Sequence, residues 1–158
     1  MSESYIFDFS IPKNFLRFLN IYYNISDMNG AVDKFEFVLA SYSQDNIEDC
    51  LTDKNMLGDG VTIHSIVKGG LFFEEDDGLT VTIKTATPVT FNIGNDIIPL
   101  KALFIRDASS KVVFMYCINI NPFSITNSFI IDSNVILYTE TDSEYKVWVM
   151  RVLLNLLK

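Results

Sequence analysis

Residues 100–120 read Leu100-Lys-Ala-Leu-Phe-Ile-Arg-Asp-Ala-Ser-Ser-Lys-Val-Val-Phe-Met-Tyr-Cys-Ile-Asn-Ile120. Two apolar runs, 100–105 and 111–120, flank the short polar stretch 106–110. Apolar runs joined by a short polar turn are typical of a β-hairpin. The sequence therefore predicts a pair of antiparallel strands in the second half of the chain.

Strand patterns recur on both sides of this hairpin. The strictest alternation of apolar and polar residues runs from Leu79 to Ala86. Further strands are predicted at 35–43, 61–67, 71–73, from 89 onward, at 123–132 and at 135–139. Turn signals separate several of them, at Gly30, Gly69-Gly70, Pro88 and Pro122. Short strands at this spacing favour a β-sandwich or barrel, so we predict a mainly β fold, a β-sandwich or jelly-roll-like domain.

Two of these strands have predicted faces, and a helical turn is predicted between them. In the first strand, Phe35, Phe37 and Leu39 share one face, opposite Glu36, Val38 and Ala40. In the strand 61–67, strict alternation places Val61, Ile63, Ser65 and Val67 together, opposite Thr62, His64 and Ile66. In the polar stretch between the strands, Asp45 or Asn46 could cap one helical turn that carries Ile47 and Leu51.

The two ends of the chain are assigned separately from the domain. We predict an N-terminal arm at 1–30, the β-sandwich domain at 31–140 and an apolar C-terminal segment at 141–158. Pro12 could open a short helix, or the first residues could form an extended arm that exposes Tyr5, Phe7 and Phe9. The C-terminal segment around Trp148 could be a short helix or a strand. Both ends could complete the domain's own core or dock onto a neighbouring subunit.

The composition and charge of the chain disfavour some classes of binding partner. Of its 158 residues, 49% are hydrophobic and 20% are charged, which is enough apolar material for a core. The formal net charge is −8 and the basic residues are scattered singly, so binding to phosphate backbones is disfavoured. A transmembrane helix needs about 18 consecutive apolar residues, and no such stretch occurs. We therefore expect no direct contact with nucleic acid and no membrane partner.

The sequence predicts no catalytic, cofactor-binding or metal-ligating residue. His64 is the only histidine, and no Ser or Cys lies in a known nucleophile motif, so a strand histidine facing solvent or an edge is the preferred interpretation. Glu74 to Asp77 is a run of four carboxylates without EF-hand spacing, which favours a solvated hairpin tip. Gly69-Gly70 and Gly58-Asp59-Gly60 match no phosphate-binding fingerprint. We expect a non-enzymatic protein that needs no cofactor.

The cysteines bear on disulfide formation, and the aromatic residues bear on sugar binding. Cys50 and Cys117 are far apart in sequence, and a buried free thiol is the preferred interpretation for Cys117 in its apolar run. A sugar site would need only exposed aromatic side chains with polar neighbours. The candidates are Tyr22, Tyr23, Tyr42 and Trp148. A host- or glycan-binding β-sandwich module therefore stays open as the alternative function.

From about residue 35 to residue 140, the order of strands and turns resembles that of small virion proteins of tailed bacteriophages. The matching features are a strand ending in Ser41-Tyr42-Ser43, the acidic stretch 45–53, the glycine-rich Gly58-Asp59-Gly60, the hairpin at 101–116, and Pro122 followed by Phe129-Ile130-Ile131. The chain departs from that pattern at 117–121, and both ends are additions to it.

The resemblance implies an all-β structural component of the head surface, the head–tail junction or the tail. Such a protein would be made in the host cytoplasm and would reside in the virion. It would bind capsid, neck or tail proteins as a homo-oligomer or in multiple copies. The acidic charge fits the exterior of a particle better than a surface facing packaged DNA. On this interpretation the terminal segments would be the anchors.

Overall fold

The computed structural model describes residues 9–12, 29–76, 80–99, 102–118 and 124–141. Within these ranges the chain forms strands and one 3₁₀ turn, Ile47–Cys50. The strands are β1 (Phe9–Ser10), β2 (Phe35–Tyr42), β3 (Val61–Gly69), β4 (Leu71–Asp76), β5 (Thr80–Thr85), β6 (Val89–Pro99), β7 (Ala102–Asp107), β8 (Val113–Ile118), β9 (Ser124–Ile131) and β10 (Ile136–Thr141).

These strands pair in three antiparallel sheets. The orders are β1-β8-β7-β2-β3, β10-β5-β4 and β6-β9. Strands β7 and β8 form the predicted hairpin, with Leu103 opposite Cys117. Its turn begins later than predicted, because Arg106 and Asp107 still belong to β7. The Asp107 carboxylate then closes the turn, since its Oδ2 accepts a 2.7 Å hydrogen bond from the backbone N–H of Ser110.

The larger hydrophobic cluster lies between the five-stranded sheet and the two smaller sheets. Phe35 and Phe114 contribute to it from the five-stranded sheet, whereas Leu71, Ile83 and Phe91 contribute from the other two. Burying large apolar side chains between two layers of sheet is the main source of stability in such a fold. The arrangement is sandwich-like, and the predicted mainly β fold class is confirmed.

A second, smaller cluster lies on the other face of the five-stranded sheet. Val38 and Phe104 are fully buried there, beneath Ile47 from the segment that joins β2 to β3. Asn46 caps the 3₁₀ turn by accepting a hydrogen bond from the backbone N–H of Glu48. The predicted helical turn and its cap are therefore confirmed, in 3₁₀ form.

Asn55 binds the segment between β2 and β3 to β8. Its backbone has a positive φ of 61°, a conformation that asparagine tolerates better than most residues. Its buried side chain donates a 2.6 Å hydrogen bond to the carbonyl of Val113, and its own carbonyl accepts from the Val113 N–H at 2.8 Å. The two bonds hold the segment over the second cluster.

Gly69 and Gly70 form the corner where the chain leaves the five-stranded sheet and enters the three-stranded one. A Cβ on Gly70 would lie 2.7 Å from the carbonyl oxygen of Ala31. A Cβ on Gly69 would lie 2.9 Å from the ring of Phe37. Both distances are shorter than real Cβ contacts, so the close approach of the backbones at this corner requires glycine.

The acidic stretch after Phe73 is more regular than predicted. Glu74 and Asp76 continue β4 and pair with β5, with Glu74 opposite Thr82 and Asp76 opposite Thr80. Glu74 also forms a cross-strand ion pair with Lys84, at 2.8 Å, which favours this pairing. The prediction that the hairpin tip begins at Glu74 is therefore wrong, although β4 and β5 pair as antiparallel neighbours as a hairpin requires.

The N-terminal strand is part of the domain core. Phe9 is only 3% exposed and lies opposite Cys117 at the edge of the five-stranded sheet. The prediction of an arm with exposed aromatic residues is therefore wrong for Phe9. Tyr5, Phe7, the helix predicted from Pro12 and the C-terminal segment from 142 lie outside the described residues, and the division into three segments stays a prediction. No helix among the described residues is long and apolar enough to cross a membrane.

Replacing Phe9 by alanine should show how much β1 contributes to the fold. Because the Phe9 ring is buried in the larger cluster, we expect F9A to lower the free energy of unfolding by about 3 kcal/mol. The matched control is S10A, since Ser10 is the exposed neighbour in the same two-residue strand. Guanidinium unfolding measures both values, and equal stabilities of F9A and S10A would contradict the placement of Phe9 in the core.

Candidate functional site

Strand β3 is the edge of the five-stranded sheet on the side away from β1. Among the described residues it pairs only with β2, so the other side of its backbone forms no ladder with them. An unpaired strand edge is a template for association with another chain. We call its exposed residues the β3 surface. They are Thr62, Ile63, His64, Ile66 and Lys68.

A β-bulge interrupts the pairing of β3 with β2. Leu39 lies opposite Ser65, but the next residue of β2, Ala40, lies opposite Ile63. His64 is therefore the extra residue of β3 at this point. A bulge of this kind changes which side chains share a face of the strand.

The bulge brings two isoleucines to one face of the sheet. Ile66 lies opposite Val38 and Ile63 lies opposite Ala40, and Val38 and Ala40 both belong to the second cluster. Ile63 and Ile66 are therefore on the same face as that cluster, and each is 43% exposed. The prediction that Ile63 shares a face with Ser65 and Val67 is therefore wrong, because strict alternation has no place for the bulge.

His64 is exposed at the strand edge, as predicted, and forms a hydrogen bond that the sequence did not indicate. Its Nε2 lies 2.9 Å from the Oγ of Ser41 on β2. A serine beside an imidazole is the first requirement of a nucleophilic site, but a third group must orient the base and donors must bind an oxyanion. Among the described residues, no carboxylate forms an ion pair or hydrogen bond with His64. The hydrogen bond between Ser41 and His64 instead links the bulge in β3 to β2.

A buried ionic cluster lies on the face of β2 that carries Val38 and the second cluster, towards the start of the strand. Glu36 lies opposite Arg106, and Glu36 Oε1 accepts hydrogen bonds from Arg106 Nε and Lys111 Nζ, each at 2.8 Å. The Glu36 and Arg106 side chains are about nine-tenths buried, whereas Lys111 is partly exposed. The cluster therefore joins the hairpin turn to the central strand.

The pKa of Glu36 is set by two opposing effects. Burial raises the pKa of its carboxyl group, because the charged form loses hydration. Hydrogen bonds from Lys111 and Arg106, together with their positive charges, outweigh this effect and lower the pKa below its ordinary value. Glu36 is therefore ionised at neutral pH, and its charge is matched within the cluster.

The other candidate residues do not converge on a site in the described part of the chain. Glu74 is engaged with Lys84, and no group of three or more His, Cys, Asp or Glu side chains suitable for a metal ion occurs among the residues that the structure describes. Cys50 and Cys117 are both buried and form no disulfide, which confirms the prediction of a buried thiol for Cys117. Burial raises the pKa of the Cys50 thiol, so it is a poor nucleophile at neutral pH.

The exposed apolar surface is aliphatic wherever side chains are described. Tyr42 is half-buried and packs against the second cluster. Of the other sugar-binding candidates, Tyr22, Tyr23 and Trp148 lie outside the described residues. The large hydrophobic side chains that are exposed are Val32, Ile63, Ile66, Ile118, Ile130 and Ile136. Exposed isoleucine side chains suit contact with another protein better than stacking on a sugar ring.

Comparison of the chain with protein-family models, with curated proteins and with solved structures gave no match.

Titration of Glu36 should be visible in the stability of the protein. Its folded-state pKa lies below the unfolded value, so the ionic cluster stabilises the fold above the unfolded pKa and loses this effect as the pH falls through the folded pKa. We expect E36Q to cost on the order of 3 kcal/mol at neutral pH, because it leaves the Arg106 charge buried without its partner. The difference between wild type and E36Q should shrink as the pH falls below the ordinary pKa of a glutamate carboxyl group and through the lower folded-state pKa of Glu36.

The matched control for E36Q is E74Q. The Glu74 carboxylate also forms a 2.8 Å ion pair with a lysine, Lys84, but the Glu74 side chain is 53% exposed. We expect E74Q to cost less than about 1 kcal/mol, since water screens such pairs. Chemical denaturation across a pH series measures both variants, and a pH-independent difference between wild type and E36Q would contradict the assignment.

Proposed function

We propose that this chain is a non-enzymatic structural protein that binds other proteins through the β3 surface, as a multi-copy component of a tailed bacteriophage particle. The observation that carries the proposal is an edge strand with two exposed isoleucines on one face. Its backbone forms no ladder on the outer side with the described residues. The partners are capsid, neck or tail proteins of the particle.

The chemistry of β3 favours a protein partner over a small molecule. An extended segment of another chain can add to a strand edge through main-chain hydrogen bonds, while side chains on alternate positions provide specificity. Ile63 and Ile66 supply apolar contact area, and β3 contains Lys68 but no carboxylate although the whole chain carries a net charge of −8. An acidic partner surface therefore meets no repulsion from this strand.

The structure contains two features that would moderate such binding. Lysine residues and bulges on edge strands are common devices against uncontrolled edge-to-edge pairing. Lys68 and the bulge at His64 therefore favour association with a defined partner over open-ended strand addition. A protein that is present in many copies on a lattice needs this restriction, because each copy must bind at one place.

The assignment to a phage particle rests on the resemblance of residues 35–140 to small virion proteins. The segments that carry the resemblance include β2 and the β7–β8 hairpin, which form three of the five strands of the larger sheet. The acidic charge supports a position on the outside of the particle. Function by repeated contact also requires no catalytic group, in keeping with the non-enzymatic assignment.

Co-sedimentation with purified particles tests this proposal. We expect mass spectrometry to find the chain in the particle peak of a density gradient, at a fixed ratio to the major shell protein. In a complementation assay, the double variant I63D/I66D should reduce incorporation by about tenfold or more, because two carboxylates would be buried in the interface. Absence of the wild-type chain from the particle peak would overturn the phage assignment.

The control for the double variant is I136D. Ile136 is at least as exposed as Ile63 and Ile66, but it lies on β10 in another sheet. We expect I136D to be incorporated like wild type, and thermal unfolding should show that all variants remain folded. Equal loss of incorporation in I136D and I63D/I66D would contradict the role of the β3 surface.

The C-terminal segment provides a separate test of attachment. Residues 147–157 are apolar except for Arg151 and Asn155, which suits docking onto a neighbouring subunit. We expect deletion of 147–158 to abolish incorporation while the β core still unfolds cooperatively near the wild-type temperature. A truncated protein that is incorporated normally would overturn the anchor assignment and leave the β3 surface as the proposed contact.

A further inference from the structure

Asn29-Gly30 is the only Asn-Gly pair in the sequence. Asparagine followed by glycine is the pair most prone to spontaneous deamidation, because glycine has no side chain to hinder the backbone nitrogen. That nitrogen attacks the side-chain amide carbon of asparagine. A new C–N bond closes a succinimide ring, the amide C–N bond breaks, and ammonia leaves with the proton of the backbone N–H. One water molecule then opens the ring to aspartate or isoaspartate.

In the folded protein both reacting groups of this pair are bound to β4. The Gly30 N–H donates a 3.0 Å hydrogen bond to the carbonyl of Leu71. The Asn29 side chain accepts a 2.9 Å hydrogen bond from the N–H of Phe73, and its NH₂ group donates to the Phe73 carbonyl at 3.4 Å. We call these three bonds the Asn29 clasp. They mimic a short piece of strand pairing, next to the bridge between Asn29 and Leu71.

The clasp opposes the ring-closing step of the reaction in two ways. The backbone nitrogen of Gly30 must lose its proton before it attacks the Asn29 side chain, and the hydrogen bond to the Leu71 carbonyl stabilises the protonated N–H. Attack also needs the Asn29 carboxamide to turn towards Gly30, whereas both of its polar atoms are held by Phe73. Gly30 itself has a positive φ of 75°, and a Cβ there would lie 3.1 Å from the ring of Phe72. A side chain at position 30 would therefore be strained, which favours glycine there.

We propose that Asn29 is a fold-gated modification site, where deamidation proceeds only when the Asn29 clasp opens. The gate is local, because all three bonds of the clasp end on one short segment of β4, from Leu71 to Phe73. Edge segments of this kind open more often than the core of a domain. Strand β4 is the edge strand of its three-stranded sheet, with β5 as its one ladder partner in the described chain.

The reaction products would not rebuild the clasp. Aspartate at position 29 can still accept from the Phe73 N–H, but it has no donor for the Phe73 carbonyl and adds a negative charge to an acidic chain. Isoaspartate adds a methylene group to the backbone itself and disrupts the register of Asn29 with Leu71. Deamidation to aspartate would therefore weaken the clasp by one bond, whereas conversion to isoaspartate would turn a reversible opening of this contact into a permanent one.

The test compares deamidation rates of the full chain, folded and unfolded, at one mildly alkaline pH. Peptide mass spectrometry follows the one-dalton mass increase at Asn29 in buffer and in guanidinium chloride. We expect the folded chain to react at least about tenfold more slowly, which corresponds to about 1.4 kcal/mol for opening the clasp. Equal rates in the two states would overturn the proposal.

Two variants separate local opening from global unfolding. F73A removes a ring that packs against Phe35 and Phe114 but keeps the backbone groups of the clasp, so β4 should open more often. The control is V38A, which removes buried methyl groups from the second cluster on the far face of the larger sheet. We expect F73A to deamidate several-fold faster than V38A in buffer. Equal acceleration in both folded variants would show that the gate is global unfolding and would overturn the local one.

Discussion

Strand β2 is buried on both faces, and the other layers of the molecule are arranged around this constraint. One face, with Phe35, Phe37 and Leu39, faces the two smaller sheets, and the other face packs under the 43–60 segment. Antiparallel sheets commonly leave one face to solvent, so a strand covered on both sides requires two separate covers. The sandwich supplies the first cover, and a long connection with a 3₁₀ turn supplies the second.

The 43–60 segment, which covers the second face of β2, explains several features that would otherwise be unrelated. A connection without a ladder of its own must satisfy its backbone groups by other means. The Asn46 side chain accepts from the Glu48 N–H at the start of the 3₁₀ turn, and the backbone carbonyl of Asn55 accepts from the Val113 N–H of β8. The cover does not reach the whole face. At one end of β2 the charge of Glu36 is matched by Arg106 and Lys111, and along β3 the isoleucines remain exposed.

Most strands could be predicted from the sequence, because their signals are local. The hairpin of β7 and β8, the alternation in β5 and the Asn46 cap each depend on a few neighbouring residues. The extent of β4 could not be predicted in this way. Its acidic residues are typical of a turn, and the Lys84 side chain that stabilises Glu74 in a strand lies on the partner strand. The same holds for Phe9, whose partner Cys117 is more than a hundred residues away.

The candidate site was less predictable than the fold. The sequence pattern predicts a strand at β3, but it does not predict the bulge, because a bulge depends on the partner strand. The hydrogen bond between Ser41 and His64 and the pairing of Glu36 with Arg106 also join residues that are distant in sequence. A weak signal was present for Glu36, since a carboxylate between Phe35 and Phe37 in a strongly apolar strand requires a partner.

The bulge at His64 also bears on how this chain would align with others. Ser65 and Ile63 lie opposite consecutive residues of β2, so removing His64 would leave every other pair of the two strands in place. His64 is equivalent to a single inserted residue inside a regular strand. Insertions and deletions are normally assigned to loops. In an alignment of this domain, a one-residue gap at position 64 would be the structurally correct placement, and moving it to the nearest loop would shift Val61 to Ile63 out of register.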